Sequence, residues 1–171
     1  MTKSKIISSL YSVFSLRIRP GHFTKFDHCP ECAEHDESLR ALELNEIGPT
    51  QVGHSGCGPI SFLTAEALAY CMPRFLEMVL MDEKNEKGDD FIGDFIFHLV
   101  PTENFDRFSG YTNKELTAVL DTLDYIYENM HGVVKRNSIE RELEDAVLYW
   151  SRKTNQQTAE IRCGHKKRGL H

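Results

Sequence analysis

The chain lacks an uncharged apolar run long enough to cross a bilayer. Its longest uncharged, apolar-leaning stretch near the N-terminus, residues 6–16, contains four serines and is too short to cross a bilayer. No small-residue cleavage site follows it, so it reads as a helix rather than a signal peptide. Strand-like alternation is nearly absent and no internal repeat occurs, which leaves an all-α architecture. Nor is there an H-E-x-x-H, a phosphate-cradling glycine loop or a G-x-S-x-G, so the commonest routes to metalloprotease, nucleotide and acyl-transfer chemistry have no residues to use. The cysteines number five, an odd count; without an export signal they are expected as reduced thiols in the cytoplasm.

Acid is missing from residues 1–25, which carry five Lys/Arg, and nearly missing from residues 151–171, with six Lys/Arg and one Glu. The middle, 26–150, holds nine bases and 25 acids, a charge of −16 within an overall −6. Such a body repels nucleic acid and suits a protein partner with a basic surface. At 171 residues, 40% hydrophobic and 27% charged, the chain is an ordinary globular length for one domain. A core of that size needs neither zinc nor a disulfide merely to exist.

Periodicity and caps divide the chain into about six helices. Ile6, Ile7, Leu10, Val13 and Phe14 recur at helical spacing, and Pro20-Gly21 closes that segment. A second helix is expected over 29–42, with Leu39 and Leu42 buried and its acids in the first two turns, where the helix dipole favours them. Residues 45–60, with four glycines and two prolines, read as a loop. Thr64 caps a third helix reaching Met81, in which Pro73 predicts a kink or break. The fourth, 89–99, carries Phe91, Ile92, Phe95, Ile96 and Leu99 and stops at Pro101; its Asp94 and His98 are four apart and within reach. Thr112 and Glu115 form a capping box for a fifth, which ends at His131-Gly132. Asn137 and Glu140 cap a sixth, with Ile139, Leu143, Ala146, Val147 and Trp150 inward. This gives a helical domain over 1–151 and a basic flexible tail over 152–171.

One stretch is dense in ligands. Asp27 to Leu39 holds two cysteines, two histidines and five acids in thirteen residues. With Pro30 in the first turn of a helix, Cys29, Cys32 and His35 fall toward one side. Three chemistries fit. His54 and Cys57 on the glycine-rich loop would complete a four-ligand zinc site, C-x2-C-x21-H-x2-C, with Cys29 and Cys32. Without metal, Cys29 at a helix N-terminus would be a reactive thiol, although no βαβ pattern of the thioredoxin kind surrounds it. Glu31, Glu34 and His35 with Asp94 and His98 would form a carboxylate–imidazole site, but the E-x-x-H spacing of helical di-metal proteins is missing. Cys71 sits in an apolar run where a buried cysteine is expected, and Cys163-Gly-His165 in the tail is a pair that binds metal only adventitiously.

Arg19-Pro20-Gly21, the block Cys29-Pro30-Glu31-Cys32 with Glu34 and His35, the TAEAL and MPRFLEMVL runs, and the FIFHL ending at Leu99 together resemble a family of small uncharacterised bacterial proteins, over about residues 6–130. That family often has tryptophan at the position of Cys57 and keeps a histidine like His98. The resemblance therefore implies Cys29, Cys32, His35 and His98 as the ligands of a common metal, and no activity. The expected protein is a cytoplasmic, non-enzymatic interaction factor, of the immunity or accessory kind, with a structural zinc site. The alternative is a small metal- or thiol-dependent enzyme working at residues 29–35.

Overall fold

A computed structural model describes residues 1–53, 58–101 and 106–167, with side chains described through residue 158. Among these residues there are nine α-helices and no strand, the all-α fold that the sequence predicts. α1 (Lys3–Phe14) buries Ile6, Leu10 and Phe14, one residue per turn. α2 (Pro30–Arg40) buries Cys32, Asp36 and Leu39. The glycine-rich stretch read as a loop contains one four-residue helix, α3 (Pro49–Val52), and the start of a second, α4 (Pro59–Phe62). Each starts Gly-Pro: proline fits the first helical position because its missing N–H has no intrahelical partner there anyway.

α5 (Ala65–Leu80) is the centre of the molecule, with eleven of its residues buried. Thr64 caps it, accepting the Ala67 N–H at 3.1 Å. The expected break at Pro73 does not occur; the helix runs through it. A proline in a helix interior costs about 3 kcal/mol. Burying one large apolar side chain returns about 2 kcal/mol, so the packing of its eleven buried residues holds the helix together.

α6 (Phe91–Phe95) passes directly into a 3₁₀ turn at Ile96–Leu99. α7 (Asn113–Asn129) has the predicted capping box: Thr112 Oγ1 accepts from Glu115 N at 3.3 Å, and Glu115 Oε2 from Thr112 N at 2.7 Å. Arg17 then forks onto the same carboxylate at 2.6 and 2.8 Å, tying the chain after α1 to the start of α7. Beyond Met130 the chain does not leave helix for long. α8 (His131–Arg136) follows, so the about six helices expected become nine through the short pieces α3, α4 and α8. Asn137 does not serve α9; its Nδ2 donates to Asp90 Oδ2 at 2.7 Å and to Val133 O at 2.9 Å.

α9 (Glu140–Lys167) packs along α7 and buries Leu143, Ala146 and Trp150; with Ile139 just before it, four of the five inward residues predicted are buried and Val147 is partly buried. The helix continues over residues 152–167, part of the segment expected as a flexible tail. Past Trp150 the apolar period fades, yet polar groups still tie the helix down: Lys153 Nζ meets Asp106 at 2.5 Å, and Gln157 Nε2 donates to Tyr111 O at 3.0 Å. Hydrophobic spacing does not register contacts of that kind.

Candidate metal centre

The turn into α2 is strapped from two sides. Asp36, buried on α2, accepts the Phe23 and Thr24 N–H groups at 2.6 and 3.2 Å and meets His22 Nδ1 at 2.7 Å. Thr24 Oγ1 donates to Cys32 O at 2.6 Å, while Phe23 O accepts from Thr64 N at 2.9 Å. The carboxyl of Asp36 stays below its ordinary value because these hydrogen bonds, that of His22 first among them, outweigh its burial. This local lock fixes where the next residues must lie.

Cys29 is the N-cap of α2, in extended conformation, with Pro30 at the first helical position as the sequence predicts. Its Sγ accepts the Cys32 N–H at 3.4 Å and lies 3.1 Å from Cys32 Sγ. His28, turned back by a hydrogen bond from its N–H to Lys25 O, brings Nδ1 to 3.7 Å from Cys32 Sγ. The ligand atoms of His28, Cys29 and Cys32 lie within 4.8 Å of one another, and among the described residues no other group of three or more His, Cys, Asp or Glu does so. His28 is exposed, Cys29 half-buried and Cys32 only 3% exposed. Hydrogen bonds from the Cys32 thiol and N–H, with His28 adding to them, lower the Cys29 pKa. The same contact with Cys29, together with burial, raises Cys32. Two soft sulfurs and an imidazole in one small volume can hold a metal ion.

Sequence spacing finds Cys29 and Cys32 but passes over His28. The argument from one helix face favours His35, yet that residue is three positions past Cys32, about 4.5 Å further along the axis. His35 turns instead toward Phe62, with ring centroids 5.2 Å apart, and its buried Nε2 has no hydrogen-bond partner, the nearest carboxylate being Glu31 Oε1 at 3.9 Å. His98, on the 3₁₀ turn, lies with Nδ1 3.5 Å from Arg107 Nη2 and outside the cysteine group. Burial first, and Arg107 second, push its pKa down to about 4, so it is neutral at pH 7. The set Cys29, Cys32, His35 and His98 is thus not assembled, nor is the carboxylate–imidazole set of Glu31, Glu34, His35, Asp94 and His98. His54 and Cys57 lie outside the described residues, as do the side chains of Cys163 and His165. Cys71 is buried in α5 with its pKa pushed up to about 12, an inert thiol. The signal that would have found His28 is adjacency. In H-C-x-x-C the N-cap cysteine is extended, so the residue before it is free to fold back over the first turn.

No family model, curated protein or solved structure matches this chain. No helix among the described residues is long and apolar enough to cross a membrane.

Proposed function

We propose that this protein is a zinc-binding helical factor that works by docking another protein rather than by turning over a substrate, and that it resides in the reducing cytoplasm. The observation that carries the metal half is the meeting of His28, Cys29 and Cys32 ligand atoms within 4.8 Å. Thiolate and imidazole together select zinc over magnesium or calcium, which take oxygen donors. A zinc ion held there would fix the His28–Cys29 turn against the first turn of α2. The role proposed for it is structural, a third clamp beside those made by Asp36 and Thr24, with three protein donors and the fourth tetrahedral position left to solvent.

The docking half is supported by two surface features. One is the −16 charge of residues 26–150, suited to a basic partner surface. The other is the segment after α1, where Leu16 and Ile18 are 91% and 88% exposed. Their neighbours are anchored: Arg17 to Glu115 and to Gly110 O, Arg19 to Glu43 and to the carbonyls of Arg40 and Leu42. Two aliphatic side chains held out in water beside anchored neighbours are a contact surface in waiting.

The deciding experiment is native mass spectrometry with elemental analysis on untagged protein purified without chelator, for the parent chain and for Cys32→Ser. One zinc per chain in the parent, lost in the variant, is the expected result; metal-free parent protein after zinc addition would overturn the reading. For docking, an affinity capture from the native host should weaken with salt and with a Leu16→Ser, Ile18→Ser double variant. A complex indifferent to both would remove this surface from consideration.

A further inference from the structure

The two sulfurs of the centre are in contact with each other. Cys29 and Cys32 are free thiols 3.1 Å apart, about 1 Å more than a disulfide bond. They differ in access. Cys29, half-buried at the helix start, can be reached by a disulfide arriving from solvent, while Cys32 is 3% exposed and lies behind it. Pro30, the Cys32 N–H bond to Cys29 Sγ and the Thr24 clamp on Cys32 O hold the two on one turn. An accessible first sulfur and a sheltered second one that faces it are the two parts that thiol–disulfide exchange needs.

We infer that Cys29 and Cys32 form a dithiol–disulfide couple that exchanges with an external disulfide, and that its oxidation discharges the metal from the His28–Cys29–Cys32 group. The discharge rests on the zinc reading above; the exchange itself does not. In the first step the Cys29 sulfur, as thiolate, attacks one sulfur of R–S–S–R. The external S–S bond breaks, a mixed disulfide forms at Cys29, and RS⁻ leaves with the bonding pair. In the second the Cys32 sulfur attacks Cys29 Sγ, closing the internal disulfide and expelling the second RS⁻. The two cysteine protons end on the two released thiols. The couple has lost two electrons, the external disulfide has gained them, and the metal leaves unchanged in oxidation state because both of its sulfur donors are now in a covalent bond.

The test uses the full reduced chain, chelator-treated, with glutathione disulfide as oxidant and peptide mapping by mass spectrometry so that Cys57, Cys71 and Cys163 are read separately. The parent should lose two hydrogens from the peptide carrying Cys29 and Cys32, without a lasting glutathione adduct there. Cys32→Ser should stop at a glutathione adduct on Cys29, and Cys29→Ser should react at Cys32 about tenfold more slowly or worse. A parent that stalls as an adduct on Cys29, or a Cys29→Ser chain that reacts at Cys32 as fast as the parent, overturns the couple. In a second arm the chain is loaded with one equivalent of zinc and oxidised beside a chromogenic chelator; zinc should appear as the disulfide forms. Zinc uptake with no disulfide overturns this inference and leaves the metal centre standing. Disulfide formation in a chain that takes up no zinc overturns the metal centre and leaves the couple.

Discussion

Two places in this molecule gather polar side chains against the core, and they do it in opposite ways. Around Asp90 the grouping is closed. Its buried carboxylate takes Lys84 on Oδ1, and Arg136 Nε and Asn137 Nδ2 on Oδ2, each of the latter at 2.7 Å; Arg136 reaches on to Asp82 at 3.2 Å. Hard donors meet hard acceptors, and the loop between α5 and α6 is tied to α8. Around Cys32 the grouping is open. Two sulfurs and an imidazole face one another at 3.1 and 3.7 Å, with no carboxylate or guanidinium in the group. A network that satisfies itself is structure; a cluster of soft donors facing one another could hold a metal ion.

The strongest way to break the contrast is at the closed end. Asp90→Ala should cost about 3 kcal/mol, because it removes the charge-assisted hydrogen bonds that Lys84, Arg136 and Asn137 make to one buried carboxylate. Urea melts should show the same loss with and without zinc; a loss that zinc repairs would mean the two regions are one unit.

At the open end the effect is conditional. With free zinc about a hundredfold above its Kd, the parent should gain about 2.7 kcal/mol over the metal-free chain. Cys29→Ser should gain nothing while keeping its metal-free stability to within about 1 kcal/mol, and the same urea melts supply both numbers.

His28→Ala should lower zinc affinity about tenfold or more, since even residues behind a ligand matter that much. His35→Ala and His98→Asn should leave it unchanged in competition titrations against a chromogenic chelator. A reversal of that order would restore the helix-face ligand set and move the centre.

The subtlest separation is by pH. His98 titrates in the folded chain at about 4, against an ordinary 6.5, so the unfolded chain binds the extra proton first. Metal-free protein should therefore lose stability as pH falls from about 6.5 toward about 4, and His98→Asn should flatten that slope. Asp90 acts lower. Hydrogen bonds from Arg136 first, and from Lys84 and Asn137, hold its carboxyl far below the usual carboxylate range, so its contribution is present above about pH 4 and fades only beneath it. Melts of His98→Asn that keep the parent's slope would assign it to another group.

The sequence by itself determined the elements whose causes are local. The capping box at Thr112 and Glu115, the Thr64 cap, Pro30 in the first turn of α2 and the apolar period of α7 each depend on residues within a turn or two, and each appears where it was expected. It also pointed to Cys29 and Cys32, because a two-residue gap closes on itself at any helix start. Tertiary structure decided the rest. Pro73 stays inside a helix because most of α5 is buried against its neighbours; α9 continues past Trp150 where polar groups far away in sequence hold Lys153 and Gln157. His28, not His35, joins the cysteines because Asp36 and Thr24 strap the incoming chain across the first turn of α2. Spacing along one helix carries no information about how the strand of chain before it is folded back, and that fold is what chooses the third donor.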